Sequence, residues 1–236
     1  MPAPDVARSC LCCCVRQRAV FDVLDEKALT ALDEGKHGYR FRKRQPIFLE
    51  GERPRGVYCV HEGAVKVYRL SADGQEQILR LARPGDLVGY RSLLCHEAYR
   101  ASAEALTETH LCFIPADLFF DLVRRHVELS LRLLEYLSHD LAQAEFRLVQ
   151  LTQKPVRERV AELLLLLAET FGTEADGQTL ALPLRREDLA SLAGTTPETL
   201  IRTLAALEAE GLIAREGRRL RLLRPEALAS AAALVD

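Results

Sequence analysis

The sequence lacks a hydrophobic run long enough to cross a membrane. Its longest apolar stretch, Leu163 to Ala168, falls far short of the roughly 20 residues that a membrane-spanning helix needs. The amino-terminal segment has no basic region of the signal-peptide kind, and its apolar run breaks at Arg16. We therefore expect a cytoplasmic protein with no membrane partner, in a compartment where thiols stay reduced.

The sequence also lacks an excess of charge of either sign. Its 236 residues carry 32 Lys and Arg against 34 Asp and Glu, for a formal net charge of −2. A molecule that is basic all over is thereby excluded, so any affinity for nucleic acid must come from a local patch. Hydrophobic residues make up 48% of the chain, which is enough for the cores of two domains.

Signs of catalysis are missing as well. The sequence shows neither a nucleophile with its base nor a carboxylate pair, and its cysteine cluster precedes no βαβ pattern of the thioredoxin kind. We therefore expect that the chain is not an enzyme. A thiol- or zinc-dependent redox protein is kept as an alternative because four of the seven cysteines crowd together, at Cys10, Cys12, Cys13 and Cys14.

Short alternating segments separated by turn residues occupy the chain from about Tyr39 to Pro115. Many short strands at this spacing predict a β-sandwich or small barrel. The pair Asp73-Gly74 predicts a tight hairpin turn, since these residues tolerate positive φ angles. The segments with the clearest alternation are Gly56–Val60, Ala64–Leu70 and Gln77–Leu81.

A heptad pattern follows in the next part of the chain. Two apolar positions recur in every seven residues, at Leu134, Leu137, Leu141, Ala144, Leu148 and Leu151. Such a narrow stripe favours a coiled-coil seam between two copies of the chain, with packing of the helix on its own barrel as the alternative. Pro155 predicts the end of this helix or a kink in it.

A helix-turn-helix pattern occupies the residues after Leu184. Leu189, Leu192 and Ala193 form the inward face of a first helix, and Gly194 takes the turn. Thr196 is a good N-cap for a second helix, and Pro197 suits its first position, where a missing N–H costs nothing. A small hairpin follows, in which Leu212–Ala214 and Leu220–Leu223 flank a turn; we interpret it as a wing.

The second helix would expose residues suited to reading DNA. Glu198, Ile201 and Arg202 lie near its amino-terminal end, where such motifs contact base edges in the major groove. Glu can accept from cytosine N4, Arg can bind guanine O6 and N7, and Ile can touch a thymine methyl. Residues placed to contact DNA phosphates or to position this helix are Arg186, Thr196, Pro197, Arg218 and Arg219. The alternative is a scaffold whose helix-turn-helix contacts protein only.

With these motifs the sequence resembles the cyclic-AMP receptor protein/fumarate-nitrate reduction regulator (Crp/Fnr) family, from about Val20 to Leu223. The likeness rests on the heptad helix, on the run Thr196 to Arg202, and on the barrel residues Gly51, Gly63, Gly74 and Pro84-Gly85-Asp86-Leu87-Val88-Gly89. It implies a homodimer on double-stranded DNA with a two-fold symmetric site, a TGA-like half-site core, and RNA polymerase as a partner.

The implied fold class is α+β: a jelly-roll β-barrel of the cyclic-nucleotide-binding type, a long dimerisation helix and a C-terminal winged helix-turn-helix. The expected limits are a Cys-rich segment at 1–19, a sensory barrel at 20–116, the dimerisation helix region at 117–154 and the DNA-binding domain at 155–236.

The resemblance also bears on the effector. Members that bind cyclic AMP carry a Glu after the glycine that matches Gly89, and an Arg-Ser pair about ten residues later. Here Tyr90 replaces the Glu, and only Arg100 survives of the pair. We expect no cyclic AMP, and take Gly89, Tyr90, Arg91 and Arg100 as the residues of the effector pocket.

Oxygen-sensing members hold a [4Fe–4S] cluster with three amino-terminal cysteines and one from the barrel. Cys10 and Cys13 have a usable spacing and Cys112 matches the barrel ligand, but the third amino-terminal position falls at Ala19, so that Cys14 or Cys12 would have to substitute. The hypothetical ligand set is therefore Cys10, Cys13, Cys14 and Cys112.

Other interpretations of these residues stay open. Cys59 and Cys112 can be plain core residues, since free cysteines are often buried. The amino-terminal cysteines can bind zinc or sense oxidants as thiols. Haem in the barrel is a further option, although no spacing singles out an axial ligand among His61, His96 and His110.

Overall fold

The computed structural model describes residues 3–5 and 9–232, and the chain divides after Leu141 into two compact units. Residues 1–2 and 6–8 of the predicted amino-terminal segment, and 233–236 of the predicted DNA-binding domain, lie outside the described residues. No helix in the described ranges has both the length and the apolar character that a bilayer crossing requires.

The first unit contains two sheets. A five-stranded sheet has the order β1-β2-β9-β4-β7, and a four-stranded sheet has the order β3-β8-β5-β6. The strands are β1 (Ala3–Asp5), β2 (His37–Phe41), β3 (Pro46–Phe48), β4 (Gly56–Glu62), β5 (Val65–Leu70), β6 (Glu76–Ala82), β7 (Leu87–Val88), β8 (Ser102–Ala105) and β9 (Thr109–Pro115).

The alternating residues of these strands form a core between the sheets. Phe41, Val60, Val65, Ala103 and Leu111 are each at most 1% exposed and belong to one apolar cluster. Alternate side chains on a strand point to opposite faces, which is why the sequence pattern predicts this sandwich. The predicted α+β class with an amino-terminal β-domain is confirmed.

The predicted hairpin is present between β5 and β6, but its turn is not the tight turn that the sequence predicts. Gly74 has a φ of 80°, whereas Asp73 is not among the residues with positive φ. The backbone N–H of Ser71 donates to the carbonyl of Gln75 at 2.9 Å, which closes a loop longer than the two-residue turn that the Asp-Gly pair predicts.

The described part of the first unit also has three short 3-10 helices, at Cys10–Cys12, Arg16–Arg18 and Val20–Val23. Its α-helices are α1 (Glu26–Gly35), α2 (Tyr90–Leu94), α3 (Ala116–Arg125) and α4 (Val127–Gln153), of which α4 continues into the second unit. Helix α1 begins at Asp25, whose side chain accepts from the backbone N–H of Ala28 at 2.8 Å. Leu32 of α1, Phe119 of α3 and Leu129 of α4 are buried in one cluster with residues of the five-stranded sheet.

The second unit contains α5 (Val156–Phe171), α6 (Arg186–Ala193), α7 (Pro197–Ala209), β10 (Ile213–Glu216), β11 (Arg219–Leu222) and α8 (Pro225–Ala231). Pro155 is the N-cap of α5, so the predicted break after the long helix is confirmed. Leu164, Leu189, Leu204 and Leu228 are each at most 2% exposed, one from each helix of this unit.

Candidate nucleic-acid interface and cysteine-lined cavity

The turn between α6 and α7 has the geometry that the sequence predicts. Gly194 ends α6 in the left-handed region, with φ 60° and ψ 47°. Thr196 is the N-cap of α7, and its Oγ1 accepts from the backbone N–H of Thr199 at 3.3 Å. Pro197 occupies the first turn of α7.

The outer face of α7 carries the three side chains predicted to read bases. Glu198 and Arg202 are exposed, and Ile201 is 47% exposed. Hydrogen bonds from its own backbone N–H and from Thr196 hold the pKa of Glu198 below its ordinary value. The Arg202 guanidinium donates to Thr199 Oγ1 at 3.3 Å and not to the Glu198 carboxylate with which it shares a face.

The three arginines expected near phosphates have different surroundings. Arg186 donates to the carbonyl of Gly217 at 2.7 Å, which ties the start of α6 to the turn between β10 and β11. Arg219 pairs with Glu174, while Arg218 is exposed at the tip of the same hairpin. The guanidinium of Arg218 is therefore exposed to solvent, whereas Arg186 is hydrogen-bonded to the turn of the predicted wing.

Arg159 of α5 contacts the helix-turn-helix in a way that sequence reasoning missed. Its guanidinium donates to the carbonyls of Ala193 at 2.9 Å and Gly194 at 3.1 Å. It also donates to the carbonyls of Lys154 at 2.8 Å and Leu151 at 3.3 Å. One side chain thus satisfies orphan carbonyls at the ends of both α6 and α4.

The predicted heptad positions on α4 divide between two faces. Leu134, Leu141 and Leu148 are 59%, 61% and 64% exposed, whereas Leu137 packs against the apolar cluster of the first unit. Leu151 is 44% exposed and Ala144 is exposed. The helix therefore packs on its own domain along one side and leaves an apolar row uncovered along the other.

A cavity of about 40 Å³ lies beside the five-stranded sheet in the first unit. Four cysteines line it, from three separate parts of the chain: Cys10 and Cys13 from the amino-terminal segment, Cys59 from β4 and Cys112 from β9. The other lining residues are Val15, Arg16, Ala19, Phe21, Leu29, Leu32, Lys36, His61 and Ile114.

Two buried basic side chains contact the thiols of this cavity. Lys36 is 6% exposed, and its ammonium donates to Cys10 Sγ at 2.8 Å and to Asp33 Oδ1 at 2.8 Å. Burial opposes its charge, but these two acceptors outweigh burial and raise the pKa of Lys36. Cys13 Sγ lies 3.6 Å from Nδ1 of His61.

Burial disfavours the thiolate form of the three deeper cysteines. It raises the pKa of Cys112 to about 11 and that of Cys59 well above the ordinary value. The pKa of Cys10 is also raised by burial, although the hydrogen bond from Lys36 opposes the shift.

The structure separates the cysteines that the sequence groups together. Cys12 and Cys14 are exposed and do not line the cavity, whereas Ala19 and Cys59 do. Within residues 3–5 and 9–232, no three His, Cys, Asp or Glu side chains are close enough to hold a single metal ion. The sequence offered a core position as one interpretation of Cys59 and Cys112, and it did not place Cys59 at this cavity because strand register, which pairs it with Cys112, cannot be derived from spacing alone.

Tyr90, Arg91 and Arg100, which are expected in the effector pocket, have different surroundings. Tyr90 is buried, and its hydroxyl donates to Asp140 of α4, which also pairs with Arg80. Arg91 is exposed, and Arg100 is exposed and paired with Glu97 at 2.8 Å. Tyr90, the residue that stands where the family resemblance expects a Glu in cyclic-AMP binders, therefore connects the barrel to α4.

Comparison with known protein families finds a match in each of the two units. A cyclic nucleotide-binding domain model matches residues 39–126, and a Crp-like helix-turn-helix domain model matches residues 158–231. The nitrogen fixation regulation protein FixK of Bradyrhizobium diazoefficiens is 31% identical over 226 residues, covering 94% of each chain. The chain belongs to the Crp/Fnr family. It is a transcription regulator with a helix-turn-helix DNA-binding domain, and not an enzyme.

Other similar proteins support the family membership but do not identify the effector of this chain. The structure of FixK2 from Bradyrhizobium japonicum aligns with a TM-score of 0.76 at 29% identity, covering 85% of this chain and 99% of that one. A CRP-like cAMP-activated global transcriptional regulator of Mycobacterium tuberculosis is 30% identical over 211 residues, covering 89% of this chain and 94% of that protein. Regulators of this family bind DNA and act as dimers.

Gly194 provides a test of the turn geometry. A Cβ at this position would lie 2.3 Å from Leu151 Cδ2, whereas at Gly217, which has a similar φ of 61°, it would meet nothing within 4 Å. We predict that Gly217→Ala costs about 1 kcal/mol of unfolding free energy through backbone strain alone. Gly194→Ala should cost about 1–2 kcal/mol, because the same strain applies and the added Cβ meets only the end of the Leu151 side chain, which is 44% exposed and can turn away.

Urea unfolding followed by circular dichroism measures both losses. Adding Leu151→Ala to the Gly194→Ala chain should remove most of the difference between the two glycine sites. A loss above about 3 kcal/mol for Gly194→Ala would contradict this account, in which backbone strain dominates and the Leu151 side chain gives way.

Proposed function

We propose that two copies of this regulator bind a two-fold symmetric DNA site with TGA-like half-site cores, which Glu198 and Arg202 read. The observation that carries the proposal is the exposed amino-terminal end of α7, capped by Thr196, with both side chains on its solvent face. Glu and Arg at these places can bind cytosine N4 and guanine O6 and N7. The family of DNA-binding regulators to which the chain belongs supports the same role.

The hairpin after α7 supplies a local positive surface to a chain of net charge −2. Arg218 is exposed at its tip, and Arg186 positions it through the carbonyl of Gly217. We assign Arg218 and Arg219 to phosphate contacts, which place the protein on the duplex without reading its sequence. Arg219 would exchange its Glu174 partner for a phosphate.

Arg202→Ala tests the base-reading role. If Arg202 binds guanine, the variant should lose about 1–3 kcal/mol of affinity for the best DNA site selected by the wild type, and discriminate less at that base pair. Arg125→Ala is a matched control, since Arg125 is an exposed arginine of the first unit whose partner is Asp121. Fluorescence anisotropy at fixed salt gives both affinities.

Equal affinity of the wild type and Arg202→Ala for that site would refute the assignment. Loss of affinity by the same factor for every DNA sequence would instead make Arg202 a phosphate contact.

The uncovered row on α4 supports dimerisation through Leu134, Leu137, Leu141, Ala144, Leu148 and Leu151. Exposed leucines at heptad spacing are costly in water and are covered when two such helices pack together. Leu137 is partly buried against its own domain, as expected for a helix that packs on the barrel along one side and on the partner along the other.

Leu141→Glu tests this seam, because a carboxylate facing its symmetry mate would be buried and repelled. Sedimentation velocity should show the mass of one chain for this variant and of two chains for the wild type. Leu70→Glu is the control, since Leu70 is 54% exposed at the end of β5 and lies outside the seam. A Leu141→Glu protein that stays dimeric would contradict the proposed interface.

We place control of this regulator at the cysteine-lined cavity, with an iron–sulfur cluster as the proposed cofactor. Four thiols on one cavity support this choice, since thiolates are the usual ligands of such clusters. Cyclic AMP is not expected, because Tyr90 and Arg100 already contact Asp140 and Glu97. A change at the cavity would alter the packing of α4 against its twin, reposition the two recognition helices, and so recruit or block RNA polymerase in the cytoplasm.

A further inference from the structure

We propose that Cys59 is the fourth thiolate ligand of an iron–sulfur cluster also held by Cys10, Cys13 and Cys112. This inference rests on the proposed control at the cysteine-lined cavity and names the ligands of that site. In the ligand set expected from the sequence, Cys14 is thereby replaced by Cys59, a residue of strand β4.

Strand pairing places two of the four sulfurs side by side. Cys59 of β4 and Cys112 of β9 are direct partners in the antiparallel register. Residues directly opposite each other on neighbouring strands project from the same face of the sheet, with Cβ atoms about 4.5–5.5 Å apart. Both cysteines line the cavity, so the sheet contributes a preformed pair of thiols.

Local hydrogen bonds hold the other two cysteines over this pair. The backbone N–H of Cys10 donates to Asp33 Oδ1 at 2.7 Å, and the Cys10 sulfur accepts from Lys36. His61, also on β4, lies 3.6 Å from the sulfur of Cys13. The amino-terminal segment is therefore tied by its cysteines to α1 and to the sheet.

The cavity also explains why Cys59 is needed. Ala19, which falls at the third amino-terminal ligand position of the oxygen-sensing members, lines this same cavity but carries no sulfur. Cys14 is exposed and lies outside the lining, and as the neighbour of Cys13 its side chain diverges from it. Cys59 supplies, from the sheet, the sulfur that is missing at Ala19.

The arrangement of the thiols favours a cluster over a single ion. Zinc needs all its ligands around one point, at about 2.3 Å for sulfur. Within residues 3–5 and 9–232, no three His, Cys, Asp or Glu side chains are grouped so that they could hold a single metal ion. A four-iron cluster takes one thiolate on each of four separate irons, so its ligands surround a space. Lys36 would compensate part of the thiolate charge, and the cluster when bound would supply a centre sensitive to oxidants.

The ligand set can be tested on full-length protein purified without oxygen. The measurements are the content of iron and acid-labile sulfide and the visible spectrum. We expect stoichiometric iron and sulfide in the wild type. Cys59→Ser and Cys112→Ser should each lose iron roughly tenfold or more, since removing even a supporting residue costs a metal site that much. Cys14→Ser is the matched control and should keep its iron.

A double variant separates loss of a ligand from loss of the fold. Cys59→Ala combined with Ala19→Cys moves the fourth sulfur to another position on the lining of the same cavity. Its iron and sulfide should return toward the wild-type content. Full iron in Cys59→Ser, loss of iron in Cys14→Ser, or zinc in place of iron in the wild type would each overturn the inference.

The Cys59 assignment and the cofactor proposal on which it rests fail in different ways. A wild type that contains no iron and sulfide overturns the cofactor proposal. A wild type that contains both, and a Cys59→Ser variant that keeps them, overturn only the assignment of Cys59.

Discussion

Strand β4 pairs with β9 at six registered positions, from Gly56 opposite Pro115 to Glu62 opposite His110. The backbones approach so closely at Gly56 that a Cβ there would lie 2.1 Å from the carbonyl oxygen of Ile114. Because strand side chains alternate between faces, a slip of one residue would turn Cys59 away from the cavity and separate it from Cys112. The proposed sensing site depends on this register, since the sheet supplies two of its four sulfurs.

The DNA-binding unit depends on a comparable constraint around Arg159. Its guanidinium donates to carbonyls at the ends of α4 and α6, and Gly194 leaves just enough room for Leu151 beside the turn. Leu151 is also a heptad position of the proposed seam. The last turn of α4 and the turn before α7 therefore share contacts, which gives the proposed control a physical route within this unit.

Features with a local cause could be predicted from the sequence. Gly194, Thr196 and Pro197 predict the helix-turn-helix because each acts within a few residues of itself, through φ preference or capping. The alternating strands and the break at Pro155 have equally local origins. The cysteine-lined cavity could be predicted only in part, since Cys59 and Cys112 are brought together by strand register. Contacts between distant segments, such as Tyr90 with Asp140 or Arg159 with Ala193, have no signal in spacing either.

The most direct test of the central claim, that the cysteine-lined cavity controls DNA reading, is the affinity of one protein preparation for its selected palindrome before and after exposure to air. The wild type should change its affinity by roughly 5- to 150-fold, the usual range of coupling between two sites. Cys112→Ser, which lacks one proposed ligand, should have the same affinity in both states. An unchanged wild-type affinity, in protein shown to have lost its iron and sulfide, would contradict control through this cavity.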